Sequence, residues 1–145
     1  MTILKYVLLL AVDPSTGFVV GLTKKKGPSF LLNKLTFPGG KREEGETVET
    51  AASREMLEET GLAIAKEDWV LFDTATYSGY VLSKLAVSTP KVLHARACEV
   101  EPVWHLSIEH HLRYAAQHPS QYAPDYVNTL RAAMAALSIE EPLPA

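Results

Sequence analysis

Three carboxylates, Glu55, Glu58 and Glu59, fall within one turn of a helix-forming stretch, Thr47 to Leu62. Glu55 is a like-charge neighbour of both others at i, i+3 and i, i+4, and each such pair costs about 0.2–0.5 kcal/mol on a solvated helix. Glu58 and Glu59 also occupy the last turn, where the negative end of the helix dipole disfavours them. At about 100° per residue, Glu55 and Glu59 lie within about 20° of Val48, between Ala51 and Ala52, with Glu58 about 80° away at the margin. Two acids therefore continue the inward stripe. A Glu-rich helix is most often a solvated face, yet here that face lies on the other side, around Thr50, Ser53 and Leu57. Carboxylates on an inward stripe require a cation, and an oxygen-rich set suits hard divalent ions, Mg²⁺ first and Mn²⁺ next.

The element holding them has clear limits. Thr47 is placed to cap the helix, Glu49 puts negative charge in the first turn, and Gly61 is placed to end it. The residues between are largely good helix formers. The order Gly40, five residues, Glu46, seven residues, Arg54-Glu55-Met56, one residue, Glu58-Glu59, one residue, Gly61-Leu62 resembles the signature of the Nudix hydrolases at every defined position. Pro38-Gly39 is similar to that family's lead-in, while Leu35 stands where many members carry Trp.

This resemblance implies a mixed β-sheet sandwiched between helices, and hydrolysis of a phosphoanhydride in a nucleoside diphosphate linked to another group. It implies that Glu55, Glu58 and Glu59 hold the metal with the Gly39 carbonyl, and that Glu46 and Arg54 form a supporting ion pair. Arg54 as a phosphate ligand is the alternative. One further acid is expected on the loop before a Trp-bearing strand: Glu99, with Glu101 as alternate, as metal ligand or general base. Divalent metal chemistry suits the task, because it lowers the pKa of bound water and neutralises phosphate charge.

The 145 residues form one expected domain, 1–145, large enough to bury a core without staples. A net charge of −3 argues against a nucleic-acid polymer as partner, whereas a small nucleotide remains compatible once metal supplies positive charge. Cys98 is alone, so no disulfide framework exists. The apolar opening Tyr6 to Val12 is too short to span a membrane and is interrupted by Asp13. A cytoplasmic protein with no membrane association is expected. Oligomeric state is not legible, and a homodimer is compatible with the sequence.

In chain order, Lys5 to Asp13 and Phe18 to Lys25 read as a hairpin around Pro14 to Gly17. Lys24-Lys25-Lys26 ends it as a solvated run or as a rim that attracts phosphate. Leu35 to Phe37 leads as a strand into the glycine loop. Trp69 to Tyr77 and Tyr80 to Ser88 read as strands joined at Ser78-Gly79, and Lys91 to Ala97 and Val103 to His105 as extended pieces. Ser107 is placed to cap a helix through Ala116. Pro124 is placed as the first residue of a last helix, whose core stripe is Val127, Leu130, Met134 and Leu137. The order gives a mixed α/β (α+β) fold.

The five histidines show no metal-binding spacing and are read as non-catalytic. Lys41 and Arg42, beside Gly39 and Gly40, are candidates to meet phosphate, and Tyr77 and Tyr80 to stack on a base. The marks of adenosine-diphosphate-ribose and NADH subgroups are absent downstream, whereas Tyr80 stands where dinucleoside polyphosphate hydrolases tend to have Tyr. The expected substrate is a nucleoside 5′-triphosphate, giving monophosphate and pyrophosphate. The rivals are a dinucleoside polyphosphate hydrolase and a nucleotide-binding sensor without turnover.

Overall fold

The central strand is the apolar opening of the chain. In a computed structural model, which describes residues 3–141, Leu4–Asp13 forms β1, and Leu9, Leu10, Ala11 and Val12 are all fully buried. A strand apolar on both faces must be covered on both. Successive side chains point to opposite faces, so Val7, Leu9 and Ala11 enter one core while Leu10 and Val12 enter another.

β1 pairs in parallel with β6, Tyr80–Ser88, over nine registered positions from Leu4↔Tyr80 to Val12↔Ser88. β5, Val70–Tyr77, is antiparallel to β6 and closes one edge. The turn between them, Ser78-Gly79, has Gly79 at φ +85, as its tightness requires. On the other side β2, Phe18–Thr23, pairs with β1 only at Val12↔Val19 and Asp13↔Phe18 before leaving it. The short strands β3, Leu35–Thr36, and β4, Gly39–Lys41, occupy the divergence; β3 pairs with β2 and β4 with β1. Strand β7, Val103–Ser107, pairs with β2.

Helix α1, Val48–Thr60, packs Ala51, Ala52 and Met56 on the face that holds Leu9 and Leu85. Helices α2, Ile108–Gln117, and α3, Tyr126–Ala136, cover the opposite face through Leu112, Leu130 and Met134. The arrangement is thus the expected mixed sheet between helices. No helix among the described residues is long and apolar enough to cross a membrane.

Three local expectations are corrected. Residues 91–97 are not a strand: Val92–His94 is a turn of 3-10 helix, and the following backbone pairs with the end of α1. The last helix begins at Tyr126, not Pro124. Asp125 is left-handed at φ +61 and the Ala123 N–H is donated to Leu35, so pairing beside β3 delays the helix. Ser53 is not part of a solvated face. Its hydroxyl donates to the Ile64 carbonyl at 2.7 Å and accepts the Trp69 indole N–H at 3.1 Å.

Candidate active site

Helix α1 begins and ends as its sequence dictates. Thr47 is extended and its hydroxyl accepts the Thr50 N–H at 3.1 Å, satisfying one free donor of the first turn. Gly61, at φ +76, stops the helix and donates to the Leu57 carbonyl. The last carbonyls are met from outside: Arg96 N–H donates to Thr60 and Cys98 N–H to Glu59. Residues 95–98 are therefore tied to the acidic end of α1.

Glu55 and Glu59 meet. Glu59 is buried at 6% exposure, with the Glu55 carboxyl as the charged group acting on it. Burial, and then the charge of Glu55, push Glu59 well above the usual carboxylate range, with Lys24 and the Gly39 amide acting in the opposite direction. Burial also raises Glu55, opposed chiefly by its hydrogen bond with Arg54. Gly40 makes room for Glu55: a Cβ there would lie 2.4 Å from the carboxylate carbon. Gly40, expected in a loop, lies in β4 and is needed for close approach, not for a turn.

Arg54 braces the group. Its Nε and Nη2 donate to the two oxygens of Glu46, each at 2.8 Å, while Nη1 reaches Glu55 Oε1 at 2.9 Å and Glu58 Oε2 at 3.4 Å. Nη2 also donates to the Lys41 carbonyl. The fork geometry suits a guanidinium and a carboxylate, and the Arg54 hydrogen bond holds Glu46 down at about 2. Glu58 stands apart from Glu55 and Glu59, its side chain 49% exposed. Among the described residues no three acidic, His or Cys side chains enclose an ion position. The donor set itself is all oxygen, with two carboxylates forced together against a glycine cradle, and fits a hard divalent ion.

The outlying candidates separate. Glu101 is buried and committed: it accepts the Lys25 N–H at 2.6 Å and lies 3.7 Å from Lys24 Nζ. Glu99 is exposed and follows Cys98, which is anchored to Glu59. Lys41 is exposed, whereas the Arg42 guanidinium donates to the Glu46 carbonyl. Tyr77 and Tyr80 stack on each other at 4.8 Å, with Tyr6 edge-on to Tyr80. His105, His111 and His118 are engaged with Ala95, Tyr122 and Tyr114 respectively.

Two features were outside the sequence reading. Lys24, legible only as part of a basic run, is the lysine whose charge acts on Glu59. A cavity of about 420 Å³ lies on the α2–α3 side of the sheet, walled by Phe30, Tyr122 and Tyr126. No local signal points to it, because its walls come from three separated segments.

A profile described as the NUDIX domain matches residues 5–126. Among curated proteins, 8-oxo-dGTP diphosphatase of Escherichia coli (strain K12) is 43% identical over 56 residues, covering 39% of this chain and 42% of that protein. A MutT/nudix family protein from Enterococcus faecalis superposes with a TM-score of 0.71 at 17% identity, over 95% of this chain and 63% of that one. Each of these two relatives is thus covered over less than two thirds of its length. The NUDIX domain of Shewanella oneidensis NrtR, solved with ADP ribose, superposes with a TM-score of 0.70 at 16% identity, over 94% and 90% of the two chains. Likeness at such identities concerns the fold.

Proposed function

Since the chain belongs to the NUDIX domain family, we propose that it is a Mg²⁺-dependent pyrophosphohydrolase that cleaves a nucleoside 5′-triphosphate to monophosphate and pyrophosphate. The observation that carries this is the Glu55–Glu59 pair, Glu59 buried and Glu55 part-buried beside it, with Glu55 seated against Gly40 and held by Arg54 from one side. Isolated carboxylates at such burial are costly, and a divalent cation is the partner that suits them.

In this reading Glu55, Glu58 and Glu59, with the Gly39 carbonyl, hold Mg²⁺, for which Mn²⁺ is a substitute. When bound, the metal lowers the pKa of water and neutralises phosphate charge. The protein's own residues then do the rest. Arg54, tied to Glu46, fixes the direction of Glu55. Lys24 and Lys41 offer positive charge to the phosphates. Glu99, beside the anchored Cys98, is the proposed base. Water oxygen bonds to phosphorus, its proton passes to the carboxylate, and the bridging P–O bond breaks to release pyrophosphate. The partner is thus a small nucleotide. Because one partial relative is named for 8-oxo-dGTP, modified purine triphosphates are among the first substrates to try.

The test is a Mg²⁺-dependent hydrolysis screen over nucleoside triphosphates, sugar nucleotides and dinucleoside polyphosphates, with products identified. A triphosphate should show the highest kcat/KM and release pyrophosphate. Tight binding without product would make the protein a sensor, and a dinucleoside polyphosphate as best substrate would displace the triphosphate.

A further inference from the structure

The structure divides the basic run at the end of β2. Lys26 is exposed, and Lys25 turns its ammonium to the Asn33 side-chain oxygen at 3.0 Å. Lys24 is drawn inward, its side chain 27% exposed. Its main chain is fixed on both sides: the N–H donates to the Lys34 carbonyl, and the carbonyl accepts the Asn33 N–H. A lysine side chain has a flexible four-carbon stem, so a fixed backbone does not by itself fix the ammonium.

Glu101 supplies what the backbone does not. It is 7% exposed, and its two oxygens are divided between neighbours. Oε2 accepts the Lys25 N–H at 2.6 Å, and Oε1 lies 3.7 Å from Lys24 Nζ. A buried carboxylate is costly unless paired, and here both partners come from the end of β2. The segment that carries Glu101 is itself held at both ends. The Cys98 N–H donates to the Glu59 carbonyl, and the Pro102 carbonyl accepts the Thr23 N–H. Residues 98–102 therefore join the acidic end of α1 to the end of β2, and the charge of Lys24 reaches Glu59. At 3.7 Å the Lys24–Glu101 ion pair is not a hydrogen bond, which leaves the three ammonium donors for a ligand.

We propose that Glu101 is a positioning residue: it holds the Lys24 ammonium at the acidic end of α1, where that charge meets the phosphates of the substrate. The inference rests on the triphosphate reading above and adds a residue that touches neither substrate nor metal. A charged group fixed before the substrate arrives needs no ordering during binding, so the gain appears in affinity and orientation. The same geometry removes Glu101 from the role of general base, because one oxygen holds a backbone N–H and the other faces an ammonium.

A double-variant cycle with Lys24 separates positioning from both base catalysis and packing. Glu101→Gln keeps an oxygen for the Lys25 N–H and loses the charge that attracts Lys24. It should raise KM for ATP about tenfold, with a smaller change in kcat. In a Lys24→Ala background the same change should have almost no further effect, since the two residues act as one unit. A loss on the order of 10²–10⁴-fold in kcat that persists without Lys24 would make Glu101 the base and overturn the proposal. Unchanged kinetics in Glu101→Gln, or a loss that adds fully to that of Lys24→Ala, would overturn it too. Should Glu101→Gln not fold, Glu101→Asp, which keeps the charge but draws it back by one methylene, enters the same cycle under the same criteria. If wild type hydrolyses no triphosphate, the triphosphate reading fails. Positioning is then judged by calorimetry with inorganic triphosphate and Mg²⁺: weaker, non-additive binding by Lys24→Ala and Glu101→Gln supports it, and equal or absent binding overturns it.

Discussion

Glu59 is buried beside a second carboxylate, a pairing that under the proposed function is met by a divalent cation. Glu59→Gln should therefore keep the fold and lose on the order of 10²–10⁴-fold in kcat, as expected when an essential acid–base or metal-holding group is removed. Near-wild-type turnover of both Glu59→Gln and Glu55→Gln would withdraw the metal assignment. Arg54 and Glu46 act as a unit, joined by two 2.8 Å bonds. Arg54→Ala and Glu46→Gln should each lower stability, and the double variant should be little worse, with a coupling of about 0.5–3 kcal/mol. The pair also sets an acid limit. Glu46 is held down at about 2 in the folded protein, from an ordinary 4.5. Its contribution is present above pH 4.5 and is lost as pH falls through about 2. In melting curves against pH, wild type and Glu46→Gln should differ at neutral pH and converge in that acid range. The acids, Arg54 and Glu46 were legible because they belong to one local pattern. Lys24 was not, since what matters about it is Glu59, a neighbour far along the chain.

The loop and helix that carry these residues depend on two glycines for different reasons. At Gly40 a Cβ would meet the Glu55 carboxylate. Gly40→Ala should displace that carboxylate and lower activity strongly while the melting temperature changes little; equal losses of both would point to general damage instead. At Gly61 the backbone is left-handed, at φ +76, and a Cβ would lie 2.8 Å from the Arg96 guanidinium. Gly61→Ala should cost about 1–2 kcal/mol from the backbone conformation, measurable by denaturant titration. The misread elements share a cause. Apolar residues between 91 and 97 suggested a strand, but Val92–His94 turns as 3-10 helix and the Arg96 N–H is taken by the Thr60 carbonyl at the end of α1. Pro124 suited a helix start, but the neighbouring Ala123 N–H is held by Leu35. Alternation and caps report local preference, and tertiary hydrogen bonds overrode it at both places. In β1, α1 and the β5–β6 hairpin, local preference and tertiary pairing agree, and those elements were read with nearly correct limits.

As a whole, the molecule brings Glu55 and Glu59 of α1 against the β4 glycines, with Lys24 acting on Glu59, beside a sheet held by the parallel β1–β6 pair. A divalent ion that binds only this assembled arrangement should stabilise all of it. At 100 times its Kd, Mg²⁺ should add about 2.7 kcal/mol, and a chelator should lower the melting temperature and abolish turnover together. An unchanged melting temperature over a Mg²⁺ titration would argue against a metal site. The β1–β6 pairing also governs how the chain is made. Its first strand is synthesised long before its partner: at about 5–20 residues per second, residues 14–88 take roughly 4–15 s to follow β1 from the ribosome. Within that interval α1 is completed, yet of the strands against which it rests β1 and β4 are present and β6 is not. A nascent chain stopped at residue 79 thus contains the entire acidic helix and lacks the β6 strand that completes its support, leaving β1 as an apolar strand for chaperones to shield.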